Sequence, residues 1–356
     1  MEGASLLKVV NFIMKIKDIA KLAGVSIATV SRVVNDKPGV RDEVREKVKE
    51  VIKEHEYKPN LIARGLSSKK SNIIGLLLPK FTAYYTEQVD AIINYCNQKG
   101  YRVMITSSVG RFEGELKNLS MLYKSQVEGI LYFVGKMTEE KKENIEKINK
   151  EIPVVLLDQA IEELSIPAVL PDNYGGAVKA MNHLVNSGHK KIAFIKAPYY
   201  DLEGEKRYRA YQDIMRRNNF EIKEGYVQGS DYSIESGYKA MENILSKSDQ
   251  MPTAVLASND GTAIGAINYL REERIEVPED ISVMGIDDIE IAKHFIPKLT
   301  TVKQDLYYVG DEAIKLLFDY IDNKDLKAKK LIVEQELVIR DSVRNLNDKL
   351  QVRSNG

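Results

Sequence analysis

Residues 16–40 read IKDIAKLAGVSIATVSRVVNDKPGV, and this stretch decides the fold of the amino-terminal part of the chain. Apolar residues recur at helical spacing up to Gly24, which predicts a short helix followed by a break. Ser26 predicts the N-cap of a second helix over 27–34, and NDKPG is a dense turn signal. Apolar residues spaced by three and four over 42–55 predict a third helix. The pattern therefore predicts a small helix-turn-helix unit.

A helix-turn-helix places the start of its second helix in the major groove of DNA. Apolar side chains at that position suit thymine methyl groups, and the fork of Arg32 fits guanine O6 and N7. An ordinary amphipathic helix pair is the alternative, and it explains Val30, Val33 and Val34 as core residues. The candidate DNA contacts of this segment are Ser26, Ile27, Ala28, Thr29, Ser31, Arg32 and Asn35.

The distribution of charge supports a DNA-reading head. The 356 residues include 52 basic and 52 acidic side chains, and a net charge of zero taken alone argues against a nucleic-acid partner. Residues 1–70, however, contain 15 basic and 9 acidic side chains, a net charge of +6. The remaining residues therefore carry a net charge of −6, and we expect a basic head joined to an acidic body.

From Ile73 onward, short apolar segments alternate with helical stretches. The segments are IIGLLLP, YRVMITSS, EGILYFV, PVVLLD, KIAFIKA, TAVLAS and ISVMGID. Apolar strands that alternate with helices are typical of parallel sheets covered on both faces. The predicted fold class is a small all-α head plus an α/β body of two doubly wound parallel-sheet lobes. Such sheets bind ligands at the carboxyl ends of their strands.

Several function classes are disfavoured by the sequence. It contains no P-loop, dinucleotide fingerprint, zinc-protease motif or nucleophile elbow, and the histidines lack ligand-like spacing, so we expect no enzyme activity, no cofactor and no metal site. Cys96 is the only cysteine, which excludes an internal disulfide and suits a reducing cytoplasm. The apolar runs are far shorter than the roughly 20 residues of a membrane span. Residues 1–13 make a poor signal peptide, and we interpret them as a disordered extension or an upstream start. A cytoplasmic protein without a membrane partner is expected.

Residues 15–71 resemble the lactose-repressor and galactose-repressor (LacI/GalR) family of bacterial transcription regulators. The resemblance is carried by KIKDIAKLAGVSIATVSRVVNDKPGV and EYKPNLIARGLSSKKS, and the SIATVSRVVN helix is most similar to the catabolite-control branch. It continues to about residue 340 through KGYRV, VEGILYF, VLLDQ, GHKKIAFI, ASNDGTAIGA, VMGIDDI and LTTVKQ. The family bodies resemble periplasmic sugar-binding proteins, with an effector bound between two lobes.

The resemblance implies a domain plan. An extension at 1–13 precedes a helix-turn-helix domain at 14–59, a hinge helix or linker at 60–71, the body at 72–342 and a tail at 343–356. The N-lobe is expected at about 72–171 and 304–331, and the C-lobe at about 172–303 and 332–342, with chain crossings near Pro171, Lys303 and Leu331.

The resemblance also assigns a role to the hinge. It implies a segment that becomes helical when two protomers meet on DNA, with Leu66 wedged into the minor groove at the centre of the operator. An apolar wedge of this kind kinks the duplex at an unstacking cost that wider contact offsets. Asn60 and Ala63 are expected to line the minor groove, and Arg64 to lie nearer a phosphate.

The family pattern places the effector residues at strand ends. It implies that Arg207 grips the effector, and a guanidinium can hold vicinal hydroxyls or a carboxylate with parallel donors. Asp260 and Asp288 are instead read as helix N-caps. The loop KFTAYYTE at 80–87 departs from the family pattern, so one of its tyrosines is expected to supply the aromatic wall. The candidate effector contacts are Tyr84, Tyr85, Asp158, Arg207, Tyr232, Asn259 and Asp287.

The function implied is a transcriptional repressor that binds a palindromic operator as a homodimer under allosteric control by a small sugar-like effector. A dimer is favoured over a tetramer because the tail lacks sustained heptads. One alternative is a global catabolite-control regulator that responds to a phosphorylated carrier protein. An alternative from another class is a solute-binding protein, which leaves the DNA-type head unexplained and needs an export signal.

Overall fold

The computed structural model describes residues 14–34, 36–55, 57, 71–108, 112–135, 138–161, 163–323 and 326–347. The chain divides into two compact units, Met1–Asn72 and Ile73–Gly356. Within the described ranges, none of the helices is both long enough and apolar enough to cross a membrane.

The first unit contains three helices, α1 (Ile16–Ala23), α2 (Ile27–Val34) and α3 (Asp42–Glu54). These bounds confirm the predicted helix-turn-helix. Gly24 ends α1 with a φ of +64°, a left-handed conformation that glycine adopts without a Cβ penalty. The small core between the helices consists of Ile19, Ala20, Ala23, Val30, Val33, Val48 and Tyr57.

The second unit contains two parallel sheets. The strands of the first sheet are β1 (Ile73–Leu78), β2 (Arg102–Ser107), β3 (Gly129–Phe133), β4 (Val154–Leu157), β5 (Ala168–Pro171) and β11 (Lys330–Val333). Their order is β11-β5-β4-β3-β1-β2, and every pairing is parallel. The helices α4 (Thr86–Gln98), α5 (Phe112–Lys124), α6 (Glu139–Glu151) and α11 (Leu306–Asp322) accompany this sheet. Consecutive residues such as Leu76 and Leu77 belong to separate apolar clusters, so both faces of the sheet are covered.

The second sheet repeats this plan. Its strands are β6 (Ile192–Lys196), β7 (Val227–Gly229), β8 (Ala254–Ala257) and β9 (Ser282–Met284), in the parallel order β7-β6-β8-β9. The helices α7 (Asn173–Asn186), α8 (Leu202–Arg217), α9 (Ile234–Lys247) and α10 (Asp260–Glu272) accompany it. A separate antiparallel pair joins β10 (Thr301–Lys303) to β12 (Glu336–Val338).

The chain passes between the two lobes in three places. The first passage follows β5, the second follows β10, and the third joins β11 to β12. The seven apolar segments predicted as strands are found as β1–β4, β6, β8 and β9, and the predicted two-lobed α/β fold is confirmed. The carboxyl ends of the parallel strands therefore frame a cleft between the lobes.

Candidate functional sites

Helix α2, which is predicted to contact DNA, begins at a capped end. The Ser26 Oγ accepts a hydrogen bond of 3.1 Å from the Thr29 backbone N–H, which confirms the predicted N-cap. The same oxygen lies 2.9 Å from the Thr29 hydroxyl. Two of the candidate DNA contacts are thereby held in a defined position at the start of the helix.

The predicted core and reading residues of α2 lie on different sides of the helix. Val30 and Val33 are buried, whereas the apolar side chain of Ile27 is 51% exposed. A shallow concavity beside α2 is lined in part by Ala28, Thr29 and Arg32. Ser26 also lines this surface, whereas Ser31 is half-buried elsewhere on the helix.

Arg41 adds a second guanidinium to this concavity, and the sequence interpretation missed it. It immediately precedes α3, so a basic residue after the NDKPG turn was the signal that pointed to it. Gly39, with a φ of +91°, would place a Cβ only 3.3 Å from the Arg32 Nη1. A side chain at Gly39 would therefore crowd the Arg32 guanidinium.

The remaining DNA-contact predictions lie outside the described residues. Asn35 stays a prediction from the helix-turn-helix pattern, and the four contacts in the predicted hinge stay predictions from the resemblance. The residues concerned are Asn35, Asn60, Ala63, Arg64 and Leu66.

Arg207 lies at the centre of the cleft between the lobes and is only 5% exposed. Its Nε and Nη2 donate to the Asn173 Oδ1 at 3.0 and 2.8 Å, and its Nη1 donates to the Ser258 carbonyl. The Arg207 Nη2 also lies 3.6 Å from the Asp287 Oδ1. The predicted pair of Arg207 and Asp287 is thus brought together, and most of the guanidinium fork is already used by the protein.

Each passage between the lobes contributes one buried amide side chain, and we call Asn173, Gln304 and Gln335 the amide triad. The Gln335 Nε2 donates to the Asn173 Oδ1 at 3.3 Å, and the Gln304 Nε2 donates to the Asp287 Oδ1 at 2.6 Å. The amide triad therefore connects all three passages to the Arg207–Asp287 pair. None of the three was predicted as a site residue, although Gln304 ends the quoted LTTVKQ motif.

Gln335 packs closely against α7. A Cβ at Gly176 would lie 1.9 Å from the Gln335 Oε1, so glycine is required for this approach. The Lys179 Nζ donates to the Gln335 carbonyl at 2.7 Å and anchors the third passage to the same helix.

Asp158 follows β4 and has a φ of +64°. Its Oδ1 is fully buried and has no hydrogen-bond partner among the residues that the structure describes. Burial, followed by the charges of Glu203 and Asp201, raises the pKa of Asp158 to about 7. Burial also raises the pKa of Asp287 to about 6, against the opposing effects of Arg207 and Gln304.

Tyrosines line both lobes near these carboxyl groups. Tyr84 donates to the Gln304 Oε1 at 3.3 Å and meets Tyr85 edge to face, with ring centroids 5.0 Å apart. Tyr85 in turn packs edge to face on Phe133 at 4.9 Å. The Tyr232 hydroxyl donates to Asp201. Burial raises the pKa of all three cleft tyrosines well above the ordinary value, so they remain neutral donors.

The helix-cap prediction at Asp260 is wrong. Asn259 is the N-cap of α10, since its Oδ1 accepts from the Thr262 N–H at 2.9 Å. The Asn259 Nδ2 donates to the Tyr232 carbonyl at 3.2 Å. Asp260 is fully buried and accepts from the Ile289 N–H and the Thr301 hydroxyl. A direct effector contact by Asn259 stays a prediction, because its side chain serves the helix and Tyr232.

The second cap prediction, at Asp288, is also wrong. Its carboxylate forms an ion pair with the Arg340 Nη2 at 2.6 Å. Asp288 therefore ties the end of β9 to the segment after β12 and caps no helix.

Comparisons with known proteins identify the family of the chain. A family model described as bacterial regulatory proteins, lacI family, matches residues 15–60, and a periplasmic binding protein-like domain matches residues 181–343. The repressor PurR of Vibrio campbellii is 32% identical over 333 residues, which cover 93% of this chain and 99% of that protein. The chain belongs to the lacI family of bacterial regulatory proteins. It is therefore a DNA-binding transcriptional regulator.

Other members of the lacI family are similarly close. Catabolite control protein A of Priestia megaterium is 32% identical over 331 residues, 92% of this chain and 99% of that protein. The lac repressor dimer bound to operator and the anti-inducer ONPF superposes with a TM-score of 0.83 at 28% identity, covering 93% of this chain and 99% of that one. A complex of the regulator CelR with cellobiose has a TM-score of 0.71 at 27% identity, covering 92% and 99%.

Proposed function

We propose that this lacI-family regulator represses transcription as a homodimer on a palindromic operator and that a small sugar-like effector in the cleft controls its operator affinity. The Arg207–Asp287 pair carries the proposal, because hydrogen bonds connect it to all three passages between the lobes. A ligand that contacts this pair contacts the group that joins both lobes.

The chemistry of the cleft fits a hydroxyl-rich ligand. Carboxylate oxygens of Asp158 and Asp287 accept hydrogen bonds from hydroxyls, and the rings of Tyr84, Tyr85 and Tyr232 offer apolar faces to a pyranose. These candidate contacts favour, as the effector, a compact molecule with several hydroxyl groups and one apolar face.

The mechanism is a linkage between ligand and lobe arrangement. An effector that takes donors from Arg207 competes with Asn173, which lies at the first passage. The effector then shifts the equilibrium toward the lobe arrangement that it binds more tightly. The size of the shift is the difference between its binding free energies for the two arrangements. We infer that this shift alters how well two hinge segments, including Leu66, form on the operator.

DNA recognition is assigned to the concavity beside α2. Arg32 and Arg41 supply guanidinium groups for guanine or phosphate, and Ile27 and Ala28 supply apolar contacts for thymine methyls. The net charge of +6 in residues 1–70 supports phosphate binding by this part of the chain.

Two alternative functions can be distinguished from the proposed one. The 32% identity to a catabolite control protein favours a global regulator that responds to a phosphorylated carrier protein. A solute-binding protein would use the same body, but the matched regulatory domain at 15–60 speaks against it. A cytoplasmic location stays a prediction from the single cysteine.

A mobility-shift titration tests the proposal. The labelled DNA is a palindrome with a central CG step, and a scrambled duplex of equal length is the control. We expect specific retardation that candidate sugars change, and we expect Arg207→Ala to abolish the sugar response. Leu66→Ala is expected to weaken operator binding while binding to scrambled DNA changes little.

The outcomes separate the candidate functions. The absence of retardation under every condition would reject a DNA-binding repressor. A response to a phosphorylated carrier protein without any response to sugars would identify global control instead. An unchanged sugar titration in Arg207→Ala would remove that residue from the effector site.

A further inference from the structure

We propose that the effector carries a protonated amine and that its ammonium group binds against Asp158 and Gln88. The inference rests on the proposed function, in which the cleft is the effector site. It narrows the ligand class from sugars in general to amine-bearing, sugar-sized molecules and excludes phosphorylated ones.

The charges of the cleft leave a negative surplus. Asp287 faces the Arg207 guanidinium at 3.6 Å, and Glu203 pairs with the Lys206 Nζ at 2.7 Å. Asp158 and Asp201 have no ion-pair partner within 4 Å among the residues that the structure describes. Among the described residues, these two carboxyl groups therefore have no basic side chain within ion-pair distance.

The two surplus carboxyl groups differ in their hydrogen bonds. Asp201 accepts from the backbone N–H groups of Glu203 and Gly204, at 2.9 and 3.1 Å, and from the Tyr232 hydroxyl. These neutral donors satisfy its oxygens. The Oδ1 of Asp158 has no such donor in the described part of the chain, although the atom is fully buried. A missing donor at a buried acceptor indicates the position of a ligand group.

Gln88 provides an independent observation at the same place. Its side chain at the start of α4 is fully buried. It is a neighbour of Asp158, and hydrogen bonding from the Gln88 side chain lowers the pKa of that carboxyl group. The Gln88 Oε1 is therefore a second buried acceptor beside Asp158, and it has no donor in the described part of the chain.

An ammonium group fits this requirement better than a hydroxyl. It has three donors, whereas a hydroxyl has one, so a single ammonium can serve both acceptors and still bond a third group. It also neutralises a buried carboxylate, which a hydroxyl leaves charged.

A phosphorylated ligand is disfavoured by the same geometry. The Arg207 guanidinium is the cation at the centre of the cleft, and Asn173 and Ser258 already accept its hydrogen bonds beside the Asp287 carboxylate. A phosphate would have to displace these contacts while it is repelled by Asp158 and Asp201. Its negative charge would remain unpaired.

The proposal includes a dependence on pH. The groups that face Asp158 are Asp201, Glu203, Arg207, Gln88, Tyr84 and Tyr85. Since burial raises the pKa of Asp158 to about 7, its ionised form becomes more abundant as the pH rises from 6 to 8. The affinity for an amine that stays protonated is therefore expected to rise over this interval.

Calorimetric titration of the full chain with matched ligands tests the inference. The probes are glucose and galactose, the corresponding 2-amino sugars and the corresponding 6-phosphates, extended to other sugar and amine pairs of similar size. In any matched pair that binds, we expect the amine to bind at least about tenfold more tightly than its neutral counterpart. The reason is that charge-assisted hydrogen bonds are stronger than neutral ones. We expect no binding of the phosphates.

Two variants separate recognition from folding. Asp158→Asn keeps the shape of the side chain, and we expect it to lower amine affinity about tenfold more than it lowers neutral-sugar affinity. Asp90→Asn, at an exposed position on the same lobe, is the matched control and is expected to bind like the wild type. Equal losses of amine and neutral sugar in Asp158→Asn would overturn the inference.

The remaining outcomes are also decisive. Neutral sugars that bind as tightly as their amines would overturn the inference and leave the proposed function intact. Phosphorylated sugars that bind more tightly than either would do the same. Binding of no sugar or amine in the extended set would instead count against a small-molecule effector and therefore against the proposed function.

Discussion

Replacing Asp158 by asparagine should stabilise the protein, and the gain should grow with pH. The carboxyl group titrates at about 7 in the folded chain, against 3.8 for the ordinary side chain, chiefly because of burial. The folded state therefore binds more protons than the unfolded state between pH 4 and 7. Stability must then fall as the pH rises through this interval, because the ionised carboxylate is costly to bury.

The expected size follows from the linkage. A pKa that is higher by about 3 in the folded state corresponds to about 4 kcal/mol when the group is fully ionised. At pH 5 only about 1 to 2 kcal/mol of this cost is present, because the folded carboxyl group is still protonated. Asp158→Asn lacks the titration, so its advantage over the wild type should increase by about 2 to 3 kcal/mol from pH 5 to pH 8.

Urea unfolding of the full chain, followed by far-ultraviolet circular dichroism at pH 5, 6.5 and 8, measures this difference. The control is Asp231→Asn, since hydrogen bonds from Ser233 and Ser236 lower the pKa of Asp231 to about 2. Above pH 5 the Asp231 carboxyl group is ionised in both the folded and the unfolded state. Its replacement should therefore change the free energy of unfolding by the same amount at all three pH values. A constant difference between Asp158→Asn and the wild type, or a less stable variant at pH 8, would refute the burial of an uncompensated carboxyl group.

Three further predictions concern other parts of the molecule. Arg32→Lys removes a bidentate fork, and we expect the free energy of operator binding to weaken by about 1 to 3 kcal/mol with little change on scrambled DNA, as measured by mobility shift. Asn173→Ala removes the acceptor of two Arg207 donors, and we expect a loss of about 3 kcal/mol in urea unfolding together with a weaker effector response on the operator. Lys141→Met leaves the buried Glu115 without its ion-pair partner, and we expect a loss of about 3 to 5 kcal/mol. Adding Glu115→Leu to Lys141→Met should restore much of that loss in the same urea titration, and an unchanged loss would contradict the ion-pair explanation.

Local signals account for the parts of the fold that could be predicted from sequence. The bounds of α2 follow from Gly24 before it and from the Ser26 cap, both of which act within a few residues. The seven central strands are continuous apolar runs because helices cover them on both faces. The helix-turn-helix and the two-lobed body could therefore be predicted without information about distant contacts.

Three of the strands that were missed, β10, β11 and β12, depend on distant contacts. β11 pairs with β5 across more than 150 residues, and Lys330 and Ile332 within it are exposed, so no apolar run marks it. β10 and β12 form an antiparallel pair of three residues each, and their pairing is set by the passages between the lobes. Short segments of this kind carry too few residues for a periodic pattern.

The cap assignment failed for a different reason. Asn259 and Asp260 are both favourable N-cap residues, and their order along the chain does not decide which one begins the helix. The choice is made by the segment after β9 and by β10, where the Ile289 N–H and the Thr301 hydroxyl donate hydrogen bonds to Asp260. Asn259 then remains for the cap, and this outcome depends on segments about 30 and 40 residues away.

The amide triad explains why Arg207 alone cannot determine the response to the effector. Asn and Gln are usually exposed, so their burial at 173, 304 and 335 could not be read from local sequence. In the folded chain they use the donors and acceptors of Arg207 and Asp287 that a ligand also needs. An effector must therefore replace some of these hydrogen bonds, and every one that it replaces connects to a passage between the lobes. The affinity of the cleft and the arrangement of the lobes then share the same hydrogen bonds, so a change in one changes the other.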